Sequence, residues 1–397
     1  MMYKIGDGII SPLGSTTLEN YDAVRSGATG LKSFPAGFRG VPFPYVASLI
    51  NPRLLEEYAA PYCGARTHNI SRYRQAVSAV LESAVTNSLS EYHKTRLFSS
   101  KKVAFIFCTT KGNVDSYDNL TSDFSDTRLY PWHLAQKMMD ELMIQGKPIV
   151  LTNSFVGGVQ AQLLADRVLN ASDLYDYAVV IAAELCSFFT ISGLNAEGFL
   201  SDKNVRPYDA ARDRGNVGEL AACMIFAGEK TYKQDKKEVS FPTNIAYRAG
   251  SMTCDAYDYL IPSPTGEGLQ RAIKKAMKNV SVTDLAFINA QGTPVPGFDN
   301  MDSVAIQRSG LSRVPVNCFE ANFGHCFNAS GLADTILSCR ALEFGEVLPT
   351  LGFSKPGFAG KMKMATVLGS TKKNSFLKIA TGVGGLNGAV VYSRTKN

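Results

Sequence analysis

The sequence contains few histidines and no closely spaced pairs of cysteines. The 397 residues contain four histidines and eight cysteines, and the cysteines form no close pairs with metal-ligand spacing. Structural zinc sites usually need such pairs, and disulfide frameworks belong to oxidising compartments. The sequence therefore argues against a metal centre and against a disulfide-stabilised domain, and it favours buried free thiols.

Long apolar runs and a strong charge of one sign are also missing. No apolar stretch reaches the roughly 20 residues that cross a bilayer, and the first residues lack the pattern of a secretory signal. The formal net charge is +6 and the lysines and arginines are scattered, so no nucleic-acid-binding stripe is formed. We expect a cytoplasmic protein that neither spans a membrane nor binds nucleic acid.

The composition is that of a globular α/β protein. Hydrophobic residues make up 45% of the chain and charged residues 19%, which is enough apolar material for a large core. Short apolar runs that predict strands alternate with segments of helical periodicity. A strand at 148–152, for example, precedes a helix marked by Val159, Leu163 and Leu169. This alternation favours a largely parallel sheet.

A second series of elements follows the charged stretch at 229–237. Its predicted elements are strands at 285–290 and 314–319, a helix at 299–309, and a helix that opens at Gly324 and runs to Phe344. The order of strand, glycine-containing turn and helix resembles the order around residue 154. We therefore predict two similar halves, residues 1–236 and 237–397.

Several short motifs stand in the order and approximate spacing of one known family. They are Ile9–Gly14, Arg206–Asp209 with Arg212–Asp213, Gly218–Ala222, Gln291–Thr293, Gly324–His325 and Gly382–Asn387. They span nearly the whole chain, and the sequence resembles the β-ketoacyl-acyl carrier protein synthases. The resemblance implies the thiolase fold, with two pseudo-symmetric mixed-sheet α/β halves in a five-layer αβαβα arrangement, normally assembled as a dimer.

The resemblance also implies a site with one cysteine and two histidines. In this family the cysteine stands at a helix start and accepts an acyl group from a thioester. The acyl group arrives on the phosphopantetheine of a carrier protein, so no separate cofactor is implied. Aligned on the motifs, Ser154 stands at the cysteine position, Gln291 at the first histidine and Glu320 at a lysine. The second histidine is retained as His325.

Three further positions differ from the family at the acyl pocket. Phe155 and Val156 replace small residues, and Val383 stands where the family has an aromatic gate between two glycines. Phe155 either narrows the pocket or packs in the core, and the sequence leaves both interpretations open. The other histidines match no motif of the family; they are His68, His93 and His133.

The same residues also have ordinary structural interpretations. Ser154 at a helix start is typical of a helix cap, and a serine hydroxyl needs a base before it can act as a nucleophile. Gln291 can hydrogen-bond neighbouring loops but cannot shuttle a proton. His325 is either structural or binds a thioester carbonyl. If Glu320 lies close to His325, its carboxylate favours the protonated imidazole.

The substitutions are typical of chain-length-factor subunits, which lack the cysteine and pair with an active ketosynthase. The segment Val295–Asp299 resembles a further feature of that group. The resemblance implies a non-condensing subunit of fatty acid or polyketide, including polyene, biosynthesis. It would form a heterodimer with an active ketosynthase and bind an acidic carrier protein. Two alternatives stay open: a β-ketoacyl synthase or acyltransferase that uses Ser154 with His325, and a malonyl-carrier-protein decarboxylase that relies on His325.

Overall fold

The computed structural model describes residues 1–63, 70–114, 130–171, 173–240, 244–293 and 296–395, so His68 and Val295 lie outside the described residues. Its strands are, in chain order, β1 (Met2–Ile10), β2 (Lys32–Phe34), β3 (Tyr45–Ser48), β4 (Val103–Cys108), β5 (Ile149–Leu151), β6 (Tyr177–Glu184), β7 (Val217–Gly218), β8 (Leu220–Gly228), β9 (Ile245–Cys254), β10 (Leu285–Asn289), β11 (Pro315–Asn317), β12 (Glu346–Val347), β13 (Lys363–Met364), β14 (Gly369–Ser370), β15 (Ser375–Gly382) and β16 (Leu386–Arg394). Its α-helices are α1 (Thr17–Arg25), α2 (Pro52–Cys63), α3 (Arg72–Ser88), α4 (Glu91–Ser99), α5 (Pro131–Glu141), α6 (Gly157–Ala171), α7 (Phe188–Ala196), α8 (Glu229–Asp235), α9 (Glu267–Ala276), α10 (Pro296–Arg308), α11 (Glu320–Phe323) and α12 (Phe327–Phe344).

One strand order occurs twice in the large sheet. The first half runs β5-β4-β6-β8-β1 and the second runs β11-β10-β15-β16-β9, with β13 added at the far edge. The directions of the strands also match. β4 in the first half and β10 in the second half are each parallel to both of their neighbours. β8 and β16 are each antiparallel to both of their neighbours. A short antiparallel pairing of β1 with β9 joins the halves. The predicted boundary near residue 236 falls between α8 and β9 and stays a prediction.

Two helices occupy the middle of the molecule. α6 and α12 pack against each other, and each contacts strands of both halves. On the outer side of the first half α3 packs on β1 and β8, and on the outer side of the second half α9 packs on β9 and β16. Helices therefore alternate with sheet in five layers, as the family resemblance implies.

Burial explains why these segments take these positions. Every residue of β1 and β8 is buried, which is typical of central strands covered on both faces. α12 is buried from Phe327 through Cys339 and so fits the middle layer. α9 is amphipathic, with Leu269 and Ile273 facing the sheet and lysines in its last turn. In the described part of the chain, no helix is both long and apolar enough to cross a membrane.

Candidate functional site

The turn between β5 and α6 is held by hydrogen bonds to two residues of the opposite half, Asn328 and Val383. Asn328 at the start of α12 donates from Nδ2 to the carbonyl oxygen of Asn153 over 2.6 Å and accepts from the Gly157 N–H over 2.9 Å. The hydroxyl of Ser154 donates to the carbonyl oxygen of Val383 over 2.6 Å. Ser154 therefore ties the turn to the loop between β15 and β16.

Phe155 is the residue of this turn that faces His325. Its φ of 58° lies in the left-handed region, which is uncommon for a residue other than glycine. The ring stands edge-on to the His325 ring at a centroid distance of 4.6 Å and lies 5.7 Å from the Phe327 ring. The sequence alignment predicts Ser154 at the nucleophile's place, whereas the structure brings Phe155 to the histidine. Val156, the next residue, is fully buried in the core.

His325 and Glu320 form a buried pair. Nδ1 of His325 lies 3.1 Å from Oε1 of Glu320, and the two residues are 8% and 4% exposed. Burial raises the pKa of the Glu320 carboxyl, and the adjacent imidazole opposes that rise. Nε2 of His325 has no hydrogen-bond partner among the described residues. The contact between Glu320 and His325 that the sequence analysis considered is therefore present. Nε2 of His325 is available to bind another group.

Gln291 is tied to the end of β15. Its Oε1 accepts from the backbone N–H of Thr381 over 2.8 Å, while its Nε2 has no partner among the described residues. The neighbouring loop needs its glycines: Gly384 and Gly385 have φ of 86° and 69°, values that suit glycine. Val383 in the same loop packs against the core of the second half. Gln291 thus hydrogen-bonds its surroundings, as one of its two interpretations predicts.

A buried lysine that the resemblance does not imply opposes the raised pKa of Glu320. Lys378 on β15 donates to Oδ2 of Asp334 over 2.6 Å and to Oδ1 of Asn289 over 2.7 Å, and its side chain is fully buried. Burial raises the pKa of Asp334, and Lys378 opposes the rise. Residue 320, where the resemblance implies a lysine, is a carboxyl. Sequence reasoning missed Lys378 because it stands in an unremarkable apolar strand.

The Arg206–Asp213 motif is anchored to α10 by buried acids. Asp299 accepts from the Tyr208 N–H over 2.8 Å and lies 3.1 Å from Nε of Arg212, while Asp302 accepts from the Tyr208 hydroxyl over 2.8 Å. Burial raises the pKa of Asp299 well above its usual range. Burial also raises the pKa of Asp302 to about 7, although Tyr208 and Lys378 favour its ionised form.

Replacing Asp302 by asparagine is expected to stabilise the protein above pH 7. Between about pH 4 and 7 the folded wild type holds a proton that the unfolded chain has lost, so wild-type stability falls as the pH rises through this range. The amide keeps the hydrogen bond from Tyr208 and carries no charge. We expect equal stabilities near pH 4 and an advantage for Asp302→Asn of up to about 4 kcal/mol at pH 8. Guanidinium unfolding at both pH values measures this. Asp284→Asn is the exposed control, and parallel pH profiles of wild type and Asp302→Asn would contradict the prediction.

The space beside His325 is very small. A cavity of about 30 Å³ is lined by Phe155 and His325 together with Glu320, Thr293 and Phe298, and by Leu194, Phe199, Leu200, Gly215, Asn216 and Val217. Such a volume holds roughly one water molecule. An acyl chain does not fit while the Phe155 ring stays where it is.

A partly buried lysine near the site was not anticipated from the sequence. Nζ of Lys111, in the loop after β4, stands 3.5 Å from the centroid of the Phe327 ring. Burial lowers the pKa of Lys111, and Glu184 opposes the decrease. The sequence carries no motif at Lys111, so only the folded structure reveals this cation–π contact.

The chain has the thiolase-like ketosynthase fold, as predicted. A beta-ketoacyl synthase from Burkholderia phymatum superposes with a TM-score of 0.84 at 17% identity, covering 100% of this chain and 99% of that one. The ishigamide ketosynthase/chain length factor gives a TM-score of 0.85 at 18% identity, covering 100% and 99%. At these identities the likeness shows the fold.

Sequence comparison points to the same family. Residues 246–354 match the family described as beta-ketoacyl synthase, C-terminal domain. The chain is 27% identical to 3-oxoacyl-(acyl-carrier-protein) synthase 2 of Coxiella burnetii over 222 residues, which cover 52% of this chain and 50% of that protein. The chain thus spans about half the length of the curated relatives it matches. These findings support the resemblance to the beta-ketoacyl synthase family.

Proposed function

We propose that this protein is a non-condensing ketosynthase-like subunit, similar to a chain-length factor, that pairs with an active β-ketoacyl-acyl carrier protein synthase in fatty acid or polyketide biosynthesis. Condensation would take place in the partner. The observation that carries the proposal is the phenyl ring of Phe155 against His325, which fills the space where a reacting thioester would have to lie.

The thiols near the site do not replace the missing nucleophile. Cys326 directly follows His325, but its Sγ faces the carbonyl oxygens of Phe323 and Gly324 at 3.6 and 3.5 Å. Burial raises the pKa of this thiol well above its usual value, and burial raises the pKa of Cys186 as well. A buried thiol that stays protonated is a poor nucleophile.

Within the part of the chain that the structure describes, no base accepts the proton of the Ser154 hydroxyl. Its hydroxyl donates to a backbone carbonyl oxygen, and the residue between it and His325 in the turn is the bulky Phe155. An alcohol without a base reacts slowly with a thioester. This geometry favours the non-condensing subunit over an acyltransferase that uses Ser154.

The edge of the sheet supports the proposed heterodimer. β5 ends the strand order of the described sheet, and its three apolar residues are each partly exposed. α5 packs beside β5 and exposes 55% of Trp132, stacked on Tyr130 at 4.9 Å. An open apolar edge of this kind suits pairing with another subunit. The excess of basic residues would suit an acidic carrier protein.

Co-expression with a ketosynthase from the same genome tests the proposal. We expect a stable complex that condenses acyl and malonyl thioesters, and no acyl adduct on this chain alone by intact-mass measurement. Trp132→Ala should weaken the complex about 10-fold or more, whereas Tyr257→Ala, an equally exposed aromatic on the other half, should not. Formation of a lengthened ketone by this chain alone would refute the proposal.

A decarboxylase is the second candidate because Nε2 of His325 lacks a partner among the described residues. In that case the isolated chain would release carbon dioxide from malonyl carrier protein, and the release would disappear in His325→Ala. Carbon dioxide release and acyl-adduct formation are both measured on the same preparation of the isolated chain. The decarboxylase is therefore distinguished directly from the non-condensing subunit.

A further inference from the structure

The outer side of α9 carries a row of exposed basic residues, here called the basic stripe. Its members recur at helical spacing and so share one side of the helix; they are Arg271, Lys274, Lys275 and, in the turn after the helix, Lys278. The opposite side of α9 is buried against β9 and β16. Glu267 is exposed on the same side as the stripe and lies 3.7 Å from Arg271. The stripe therefore keeps an excess of positive charge.

The corresponding helix of the first half is covered, and its charges are paired. α2 packs on α3, and Arg72 and Arg74 of α3 form ion pairs with Glu219 and Glu141. The three lysines of the basic stripe, in contrast, make no ion pair with any residue that the structure describes. Their charges are therefore free to meet an anionic surface.

The loop between β9 and α9 exposes three large apolar side chains, here called the apolar tip. Tyr257, Tyr259 and Ile261 are 62%, 78% and 58% exposed. The carboxylate of Asp258 accepts from the backbone N–H groups of Leu260 and Ile261 over 2.8 and 2.9 Å. This carboxylate is thus bound to the backbone of its own loop, which holds the loop in shape while the apolar side chains face solvent.

Two arginines hold the ends of this loop next to the basic stripe. Arg271 donates to the carbonyl oxygen of Cys254 over 3.2 Å, and Arg308 donates to the carbonyl oxygen of Thr265 over 2.7 Å. Arg308 ends α10 and is exposed, and its own carbonyl oxygen accepts from the side chain of Gln270 in α9 over 2.7 Å. The basic stripe and the apolar tip are therefore neighbouring parts of one surface.

We propose that the basic stripe and the apolar tip dock this protein on a membrane surface with anionic lipid headgroups. Each lysine or arginine near such a surface strengthens binding about 5-fold, and tyrosine side chains favour the headgroup level, where the ring is covered and the hydroxyl stays wet. A protruding tip beside an uncovered row of charges fits a soft, continuous surface without needing a matching groove. In the sheet, β1, β8, β6 and β4 separate β9 from β5, so docking leaves the proposed pairing edge open. The inference goes beyond the proposed function and does not depend on it.

Sedimentation of the full chain with lipid vesicles tests the inference. Phosphatidylcholine vesicles with about one third phosphatidylglycerol should bind the wild type at least about 10-fold more tightly than pure phosphatidylcholine vesicles do. The triple variant Lys274→Gln, Lys275→Gln, Lys278→Gln should bind the anionic vesicles about 100-fold more weakly. The matched control makes the same change at three exposed lysines of the first half and should lose less than about 3-fold; its substitutions are Lys101→Gln, Lys137→Gln and Lys147→Gln.

Fluorescence tests the apolar tip separately. Trp132→Phe removes the only tryptophan of the sequence, so Tyr259→Trp in that background reports on the tip alone. Anionic vesicles should shift its emission to shorter wavelengths, because the indole enters the headgroup region. The absence of a shift, or equal vesicle binding by the triple variant and its control, would overturn the inference. Binding to an acidic carrier protein but not to vesicles, lost in the triple variant, would also overturn it and assign the surface to a protein partner.

Discussion

Replacing Lys378 by methionine is expected to lower the free energy of unfolding by about 3–5 kcal/mol at pH 8. The substitution leaves the buried carboxyl of Asp334 without its cation and Asn289 without its donor. Because Lys378 opposes the raised pKa of Asp334, its loss raises that pKa further. The folded variant then holds a proton that the unfolded chain loses above about pH 4, so the deficit grows as the pH rises.

Denaturant unfolding at pH 5 and pH 8 measures this effect. Lys372→Met, on an exposed lysine a few residues earlier, should change stability by less than about 0.5 kcal/mol. The double variant Lys378→Met with Asp334→Asn should recover part of the loss, because a neutral pair no longer buries an unpaired charge. If Lys378→Met and Lys372→Met lower the free energy of unfolding by the same amount, the buried pair of Lys378 and Asp334 contributes little to stability.

Gly158→Ala is expected to destabilise the protein by about 3 kcal/mol or more, because α6 and α12 touch at this glycine. An added Cβ would lie 2.3 Å from the carbonyl oxygen of Asn328 and 2.7 Å from the backbone nitrogen of Leu332. Both atoms belong to the backbone of α12, so no side-chain rotation relieves the overlap. The two central helices would have to separate, which also disturbs the hydrogen bonds from Gln162 to Gly331 and Thr335.

Gly193→Ala is the control because it places the same methyl group in α7, where an added Cβ meets no atom within 4 Å. Alanine is the better helix former by about 1 kcal/mol, so this variant should be neutral or slightly more stable. Thermal unfolding of the two variants measures the difference. If Gly158→Ala and Gly193→Ala unfold at the same temperature, the close contact between α6 and α12 does not determine the stability of the protein.

Much of the fold could be predicted from local patterns. The strand at 148–152 and the helix after it are present as β5 and α6, and the predicted helix from Gly324 is present as α12, beginning at Phe327. Apolar periodicity identifies such elements because one face or the whole element is buried. The pairing of β1 with β8 could not be predicted this way, since it joins residues 2–10 to residues 221–228. Local sequence carries no information about such distant partners.

At the candidate site the sequence motifs single out residues that the structure brings close together, but they do not give the directions of the side chains. His325, Glu320 and Gln291 lie where the motifs imply, near one another or near the glycine loop. An alignment of motifs gives positions in the sequence but no backbone angles. It therefore does not reveal that the φ of 58° directs the Phe155 side chain towards His325, or that the Ser154 hydroxyl donates to the carbonyl oxygen of Val383. The roles assigned to Ser154, Gln291, Glu320, Phe155, Val156 and Val383 stay predictions.

The repeated strand order has a consequence for synthesis on the ribosome. In each half the first strand made pairs with the last, and about 200 residues separate β1 from β8. At the usual speed of translation the nascent β1 waits roughly 10–40 seconds for its neighbour. During that time nine residues destined for the interior stay uncovered, so chaperone binding to this segment would protect the newborn chain from aggregation.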